Sequence, residues 1–384
     1  MVMTDSNEQQ QLRLLVRRFL ADKSPIAEVR RLTDSGRDGD PAVWTQLAGQ
    51  LGLAGLVIPP AYGGAGGGPV ELAIVLEEMG RTLLMAPYFS TVALAGPALL
   101  ASDDEDARRR WLPALADGSL TATLAVAEES GSWSPADVAA TARASGAGWV
   151  LNGAKSFVPD GDTAGLLLVL ARAADGLGLF AVDGDAPGGQ RARLDALDLS
   201  RPLASVLLTD APAVRISLAD PAAWFETVYA RVLAASAAEQ LGGAAACLDL
   251  AVEYAKKREQ FGRPIGSFQA IKHACALLLL EVECGRSAVY HAAAALADSG
   301  VSGSSGARGD PGGPGEASVA AVVAQTYCAT AFTHAAKQCI QIHGGIGYTW
   351  EHPAHLYLRR AKSAELLLGS PAKQRARLAE LVGI

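Results

Sequence analysis

The stretch Tyr254-Ala-Lys-Lys-Arg258-Glu-Gln-Phe261-Gly262-Arg-Pro264-Ile265-Gly-Ser-Phe268-Gln269 joins two long Ala-rich segments, and how those segments read decides the fold of the C-terminal half. Residues 223–257, 268–298 and 317–341 combine Ala with Leu, Val and Cys at helical spacing, apolar around most of the circumference. Helices of that kind are buried in a bundle or at a subunit interface, and their small residues permit close approach of the axes. The stretch Ser299–Gly315, SGVSGSSGARGDPGGPG, predicts a flexible connection, because so much Gly and Ser cannot hold a helix. Gly369-Ser370-Pro371 ends a further helical segment ahead of a closing helix over 372–382.

Upstream, the texture changes twice. From about 121 to 222, short β-prone runs (Thr121–Val126, Trp149–Leu151, Leu166–Ala171, Gly178–Val182, Ala204–Leu208, Val214–Ser217) alternate with Gly, Asp and Pro turns, the rhythm of an all-β module. The run 166–171 is apolar on both faces, as a strand buried on both sides must be. Residues 5 to 118 read as helices. Ser6 predicts an N-cap, and Leu12, Leu15, Val16 and Phe19 recur at helical spacing. Helices are expected near 42–52, 69–83 and 89–101, and the acidic run Asp103-Asp104-Glu105-Asp106 suits the start of a fourth. The predicted class is α+β multi-domain: an N-terminal helical domain (1–118), a middle β-barrel or sandwich domain (119–222) and a C-terminal four-helix bundle domain (223–384).

Composition narrows the possibilities. With 384 residues, 50% of them apolar and 19% charged, the chain is neither disordered nor of low complexity. No apolar run reaches the ~18 residues of a membrane-spanning helix. The net charge of −7, with no basic run stronger than Arg108-Arg109-Arg110, argues against nucleic acid as a partner. The opening MVMTDSNEQQQ lacks the apolar centre of a signal peptide, which gives a cytoplasmic expectation. Cys247, Cys275, Cys284, Cys328 and Cys339 fit no zinc or CxxC spacing and read as packing thiols. His273, His334, His343 and His355 read as structural, with no metal spacing. The segment LVIPPAYGGAGGGPVELAIVLEEMG imitates a dinucleotide-binding turn, but a third glycine would have to stand where Pro69 does, and no Lys-Ser/Thr follows. Pro69 predicts the first position of a helix instead.

Two C-terminal motifs are more specific. One is the opening stretch; the other is Gln341-Ile-His343-Gly344-Gly345-Ile-Gly347-Tyr348-Thr-Trp-Glu351-His-Pro353, followed by Arg359-Arg360-Ala361-Lys362. Arg258 ends a helix and offers a planar fork of donors suited to a pyrophosphate. Gly262 permits a sharp turn, and Gln269 can pair with an adenine edge or a ribose hydroxyl. Gly344 and Gly345 let backbone N–H groups approach a phosphate with no Cβ in the way. Together with Val57-Ile58-Pro59-Pro60-Ala-Tyr62-Gly63-Gly64, these motifs make the chain resemble the flavin-dependent acyl-CoA dehydrogenase family over essentially its whole length. The resemblance implies that Arg258, Phe261, Phe268, Gln269, Gln341, Gly344 and Gly345 contact the adenine and pyrophosphate end of FAD, reaching across a subunit interface. It also implies α,β-desaturation of an acyl-CoA substrate, with an electron-transferring flavoprotein as acceptor.

The same resemblance exposes gaps. Counted from Arg359-Arg360-Ala361-Lys362, the family's usual catalytic carboxylate falls on Leu368; the position some members use instead falls on Val232. Neither side chain can take a proton. Ala127-Glu128-Glu129 and the stretch Ser130–Pro135 replace the signature Thr-Glu-Pro and Gly-Ser-Asp, so a hydroxyl that would meet the flavin ring is absent. Phe157-Val158-Pro159 replaces aromatic-Ile-Thr, and Pro159 has neither hydroxyl nor amide proton to offer. Glu365 and Glu239 are the carboxylates that could substitute for the base. Loss of a general base costs ~10²–10⁴ in rate. The leading expectation is therefore one subunit of a heteromeric (α₂β₂) acyl-CoA dehydrogenase, like the base-lacking subunit of actinobacterial heterotetramers, with the base on a second dehydrogenase-like chain. The alternatives are a homotetramer using Glu365 or Glu239, a non-catalytic scaffold or regulator of the same fold, and related chemistry on a carrier-protein thioester.

Overall fold

A computed structural model describes residues 6–146, 148–301 and 315–384. The N-terminal region is helical: α1 (Asn7–Lys23), α2 (Ile26–Asp34), α3 (Pro41–Thr45), α4 (Pro69–Thr82), α5 (Gly96–Leu100) and α6 (Glu105–Ala116). Ser6 caps α1, its hydroxyl accepting from the Gln9 N–H while the Gln9 side chain accepts from the Ser6 N–H. Leu15, expected on the buried stripe, is exposed; Val16 and Leu20 turn inward and Leu12 and Phe19 pack beside them. Pro69 opens α4 as expected, and Asp104 caps α6 through the Ala107 N–H. α1 is fastened to α4 by buried acids: Arg13 meets Glu77 at 2.8 Å and Glu78 at 3.2 Å, and Arg17 meets Glu78 at 2.7 Å.

The middle region contains β1 (Ala122–Ala125), β2 (Thr141–Ser145), β3 (Gly148–Pro159), β4 (Leu166–Ala173), β5 (Gly176–Asp183), β6 (Gly189–Arg193) and β7 (Leu203–Ile216). The strand order β4-β2-β3-β7-β5 returns to β4 through an antiparallel β4–β5 pairing, so the sheet closes into a barrel. β1 adds to β4 in parallel, and β6 pairs with β7. β4 justifies its two-faced apolar sequence. Leu167, Val169 and Ala171 fill the barrel, while Leu166, Leu168 and Leu170 join the larger core shared with the helices. The two runs expected at 204–208 and 214–217 form one strand, and β2 and β6 are strands that weak hydrophobic alternation had hidden.

The C-terminal helices are α7 (Pro221–Lys257), α8 (Gln269–Val301), α9 (Glu316–His343), α10 (Ala354–Leu367) and α11 (Pro371–Val382), with a short hairpin β8 (Glu259–Gln260) and β9 (Arg263–Pro264) between α7 and α8. α8 continues to Val301, past the start of the connection expected at Ser299; the rest of that connection up to 314 lies outside the described residues. α7, α8 and α9 pack on one another, and α4 crosses α7. That crossing depends on two glycines. A Cβ on Gly80 would lie 1.9 Å from the Glu239 carbonyl oxygen, and one on Gly242 1.9 Å from that of Glu77. Among the described residues no helix is long and apolar enough to cross a membrane, and no cluster of His, Cys, Asp and Glu could hold a metal ion.

Candidate active site

The two C-terminal motifs meet at one end of the bundle. α7 and α9 both finish there, and the rings of Tyr254 and His343 lie 4.4 Å apart. Arg258 caps α7 through its backbone N–H. Among the described residues its guanidinium has no protein partner, and it projects into solvent. The hairpin turns at Phe261 and Gly262, with φ of 54° and 73° respectively, the positive values that a two-residue hairpin of the primed type requires. Phe261 is consequently 92% exposed, touching only the edge of Phe268 at 6.1 Å. Arg263 lies over the Phe268 ring at 4.2 Å. Gln341 accepts a hydrogen bond from Tyr348 at 3.3 Å and is otherwise open to solvent. Gly344 ends α9 with φ 60°, and a Cβ on either Gly344 or Gly345 would meet nothing within this chain. The set combines a free guanidinium, an exposed aromatic ring, amide side chains and bare backbone. It fits the adenine and pyrophosphate end of FAD, presented outward rather than folded over a pocket of its own.

A second site lies where the barrel meets α10 and α11. A cleft of about 390 Å³ is lined by Glu129, Ser130, Gly131 and Phe157 from the barrel side and by Leu366, Leu367, Gly369, Ser370 and Lys373 from the helical side. An irregularity in the β3–β7 register between Lys155 and Val158, with Phe157 at φ 57°, turns the Phe157 ring towards Gly131. Glu128 does not enter the cleft. It accepts from the Ala139 and Ala140 amides and from the buried Lys155 ammonium at 2.8 Å. Burial alone would raise the Glu128 pKa, but the Lys155 ammonium and the two amides outweigh it and hold the carboxyl below its usual range. The cleft thus joins the three elements read from the sequence as ring contacts, and it carries Glu129 where the family signature has Pro.

Leu368 is fully buried at the end of α10, its carbonyl accepting from the Tyr229 hydroxyl at 2.7 Å and from Gln374 at 2.5 Å. Leu368 also borders a separate recess lined by Trp133, Phe225 and Tyr229, whose rings stack at 5.9 Å and 5.4 Å. Neither substitute carboxylate is free to take its place. Glu365 is paired with Lys362 and approached by Thr333 at 3.4 Å, on the α9 side of the helix. Glu239 belongs to a buried ionic cluster. Arg360 donates to Glu239 at 3.0 Å, to Asp198 at 2.7 Å and to Ser200, and Arg201 donates to the other Glu239 oxygen. Beside it, Asp160 accepts from the Ser90 hydroxyl at 2.6 Å, and burial pushes its carboxyl up to about 6. Sequence reasoning missed this cluster. The signal was available: Arg360 replaces the acidic residue of the family's Arg-Asp-Ala-Lys stretch, and Glu239 interrupts an Ala-rich helix, two isolated charges that burial obliges to pair.

Comparison with known proteins agrees along the whole chain. Family models described as the acyl-CoA dehydrogenase N-terminal, middle and C-terminal domains match residues 6–119, 123–200 and 229–383. The chain is 34% identical over 373 residues to acyl-CoA dehydrogenase IpdE2 of Mycolicibacterium smegmatis, covering 97% of this chain and 98% of that one. It is 37% identical to acyl-CoA dehydrogenase FadE34 of Mycobacterium tuberculosis over 99% of this chain but only 49% of FadE34. A solved structure titled as the ChsE4–ChsE5 complex from Mycobacterium tuberculosis superposes with a TM-score of 0.87 at 28% identity, covering 100% of this chain and 99% of that chain.

Proposed function

Because the chain belongs to the acyl-CoA dehydrogenase family, a family of FAD-dependent oxidoreductases, we propose that it works as one subunit of a heteromeric member, lending the adenine clamp to a flavin whose ring site and catalytic base lie on a partner chain. One observation carries this reading: the position of the base is held by Leu368, buried in the hydrophobic core, while Arg258, Phe261, Gln269, Gln341, Gly344 and Gly345, the residues read as an adenine and pyrophosphate clamp, are all present.

Bound FAD supplies a hydride acceptor for the substrate Cβ–H bond. The protein must add a carboxylate to remove the α-proton and hydrogen-bond donors to polarise the thioester carbonyl. This chain's contribution is binding and orientation. Arg258 neutralises pyrophosphate charge, Gly344 and Gly345 offer backbone N–H groups to it, and Phe261 with Phe268 gives the adenine an aromatic wall. At the proton-transfer position Leu368 holds nothing. Glu129 stands on the barrel wall, the wall of the ring contacts, whereas the base must face the ring from the helical wall. FadE34 supports the reading: the segment aligned with this chain is about half of it, so a second stretch of comparable length accompanies it there. The name of the ChsE4–ChsE5 complex supports it as well, since a chain of the same fold is found there with a second component.

The test is to purify the chain alone and together with the product of the adjacent gene, which this reading expects to be a second dehydrogenase-like chain. Flavin absorbance and acyl-CoA desaturation are expected only in the pair. A lone chain that retains stoichiometric FAD and desaturates acyl-CoA would falsify the proposal.

A further inference from the structure

Behind the clamp, two cysteines far apart in the sequence come together in the core. Cys247 lies on α7 and Cys339 on α9, and both are fully buried. The two helices run side by side in the same direction here. A Cβ on Gly243, one turn before Cys247, would lie 2.3 Å from the Phe332 ring, and the Tyr254 and His343 rings meet further along. The two thiols are in hydrogen-bond contact with each other. Cys339 Sγ also lies 3.7 Å from Nδ1 of His343, one turn on along the same helix face. That nitrogen bonds the Cys339 carbonyl at 2.6 Å, which fixes the ring against the thiol.

The two sulfurs are not equivalent. The hydrogen bond from Cys247, helped by His343, holds the Cys339 thiol below its usual range although burial opposes it. Burial, and then the neighbouring Cys339 sulfur, push the Cys247 thiol up. Burial also opposes a charged imidazole at His343, but Cys339 beside it outweighs that and raises its pKa. One sulfur is thus suited to attack as a thiolate, and the other to resolve the product as a thiol. The pair sits at the root of both arms of the clamp. His343 leads directly into Gly344, and Tyr254 stands one turn before Arg258. Helix ends open more readily than helix centres, so the last turn of α9 gives a molecule little larger than water a way in.

We propose that Cys247 and Cys339 form an oxidisable pair that hydrogen peroxide closes to a disulfide, tying α7 to α9 just behind the adenine clamp. The Cys339 thiolate attacks one peroxide oxygen, the O–O bond breaks, and hydroxide leaves, giving a sulfenic acid. The Cys247 sulfur then attacks the Cys339 sulfur. The S–O bond breaks, and the departing hydroxyl takes the Cys247 proton and leaves as water. The two sulfurs together lose two electrons, and the peroxide gains them. The pair is independent of the partner chain and of the choice of catalytic base.

The test takes the reduced, folded full-length chain through a time course with hydrogen peroxide at neutral pH. Remaining thiols are then alkylated in denaturant and the chain is digested with trypsin. Cys247 falls in the peptide 232–256 and Cys339 in the peptide 338–359, each the only cysteine of its peptide. A species joining these two peptides, lighter than their sum by two hydrogen atoms, is expected. It should form at least about tenfold faster than oxidation of Cys275, whose thiol burial pushes up. Cys247→Ser is expected to strand Cys339 as a sulfenic acid that dimedone traps, and Cys339→Ser to leave Cys247 unoxidised. A cooperative melt shows that each variant keeps the fold. Three outcomes overturn the proposal: no linked species while Cys275 oxidises, linkage only once the chain is unfolded, or Cys247 oxidising in Cys339→Ser as fast as in the unaltered chain.

Discussion

A leucine at position 368 moves the question of proton transfer to the acids around it, and each of those has a different job. Glu239 is the shared acceptor of Arg360 and Arg201. Glu239→Gln leaves two buried guanidinium groups short of a counter-charge, so a loss of about 3–5 kcal/mol in stability is expected, read as a lower denaturation midpoint. Glu365→Gln removes only a half-exposed pair with Lys362, so stability stays within about 0.5 kcal/mol and turnover of the assembled enzyme is unchanged. A specific loss of turnover in Glu365→Gln, with FAD retained, would show that the base lies on this chain. Asp160 carries a pH signature. Its folded pKa, about 6, lies above the ordinary carboxyl value. The stability it contributes is therefore fully present below pH ~4 and is lost as pH rises to about 6. Comparing unfolding of the native chain with Asp160→Asn isolates this effect. The difference is expected to change by about 2–3 kcal/mol between pH 4 and pH 7 and to stay flat above. Asn also tolerates the left-handed backbone at this residue, φ 51°.

At the scale of elements, the two glycines of the turn after α9 differ in what they require of the backbone. Gly344 has φ 60° and ψ −137°, so Gly344→Ala strains the backbone by about 1–3 kcal/mol although its Cβ would find open space. Gly345→Ala meets no atom and needs no positive φ. It is expected to leave the melting temperature in place while weakening FAD retention, measured as flavin absorbance after gel filtration of the assembled protein. Failure of Gly345→Ala to affect flavin retention would remove Gly345 from the clamp. Much at this scale was legible from sequence. The N-cap at Ser6, Pro69 opening α4, the acidic start of α6 and the long Ala-rich helices follow from local rules that tertiary packing did not override. Barrel closure was not legible, because β2 and β6 are short and mostly exposed and carry little hydrophobic alternation. The clamp residues were named from motif order alone. Single-chain burial could not have singled them out, since most of them are exposed.

For the whole molecule, the decisive feature is how much functional surface faces outward. Phe261, Tyr348 and Trp350 are exposed near the clamp, and Leu277, Leu279 and Leu280 are exposed along α8, where Tyr327 of α9 lies beside Glu281 and Cys284. On the proposed heteromeric reading, these exposed apolar side chains are the surface offered to another chain. Assembly and flavin retention are then separable by position. Leu280→Glu places a charge on the α8 surface at a residue 59% exposed, so it leaves the isolated chain folded but is expected to lower the mass of the assembly by light scattering and to release flavin with it. Phe261→Ala removes a ring that packs on little of its own chain, so the assembled mass is expected to stay constant while flavin absorbance falls. If Phe261→Ala retained flavin and Leu280→Glu retained mass, neither surface would face the partner, and the clamp would have to be sought elsewhere on the chain.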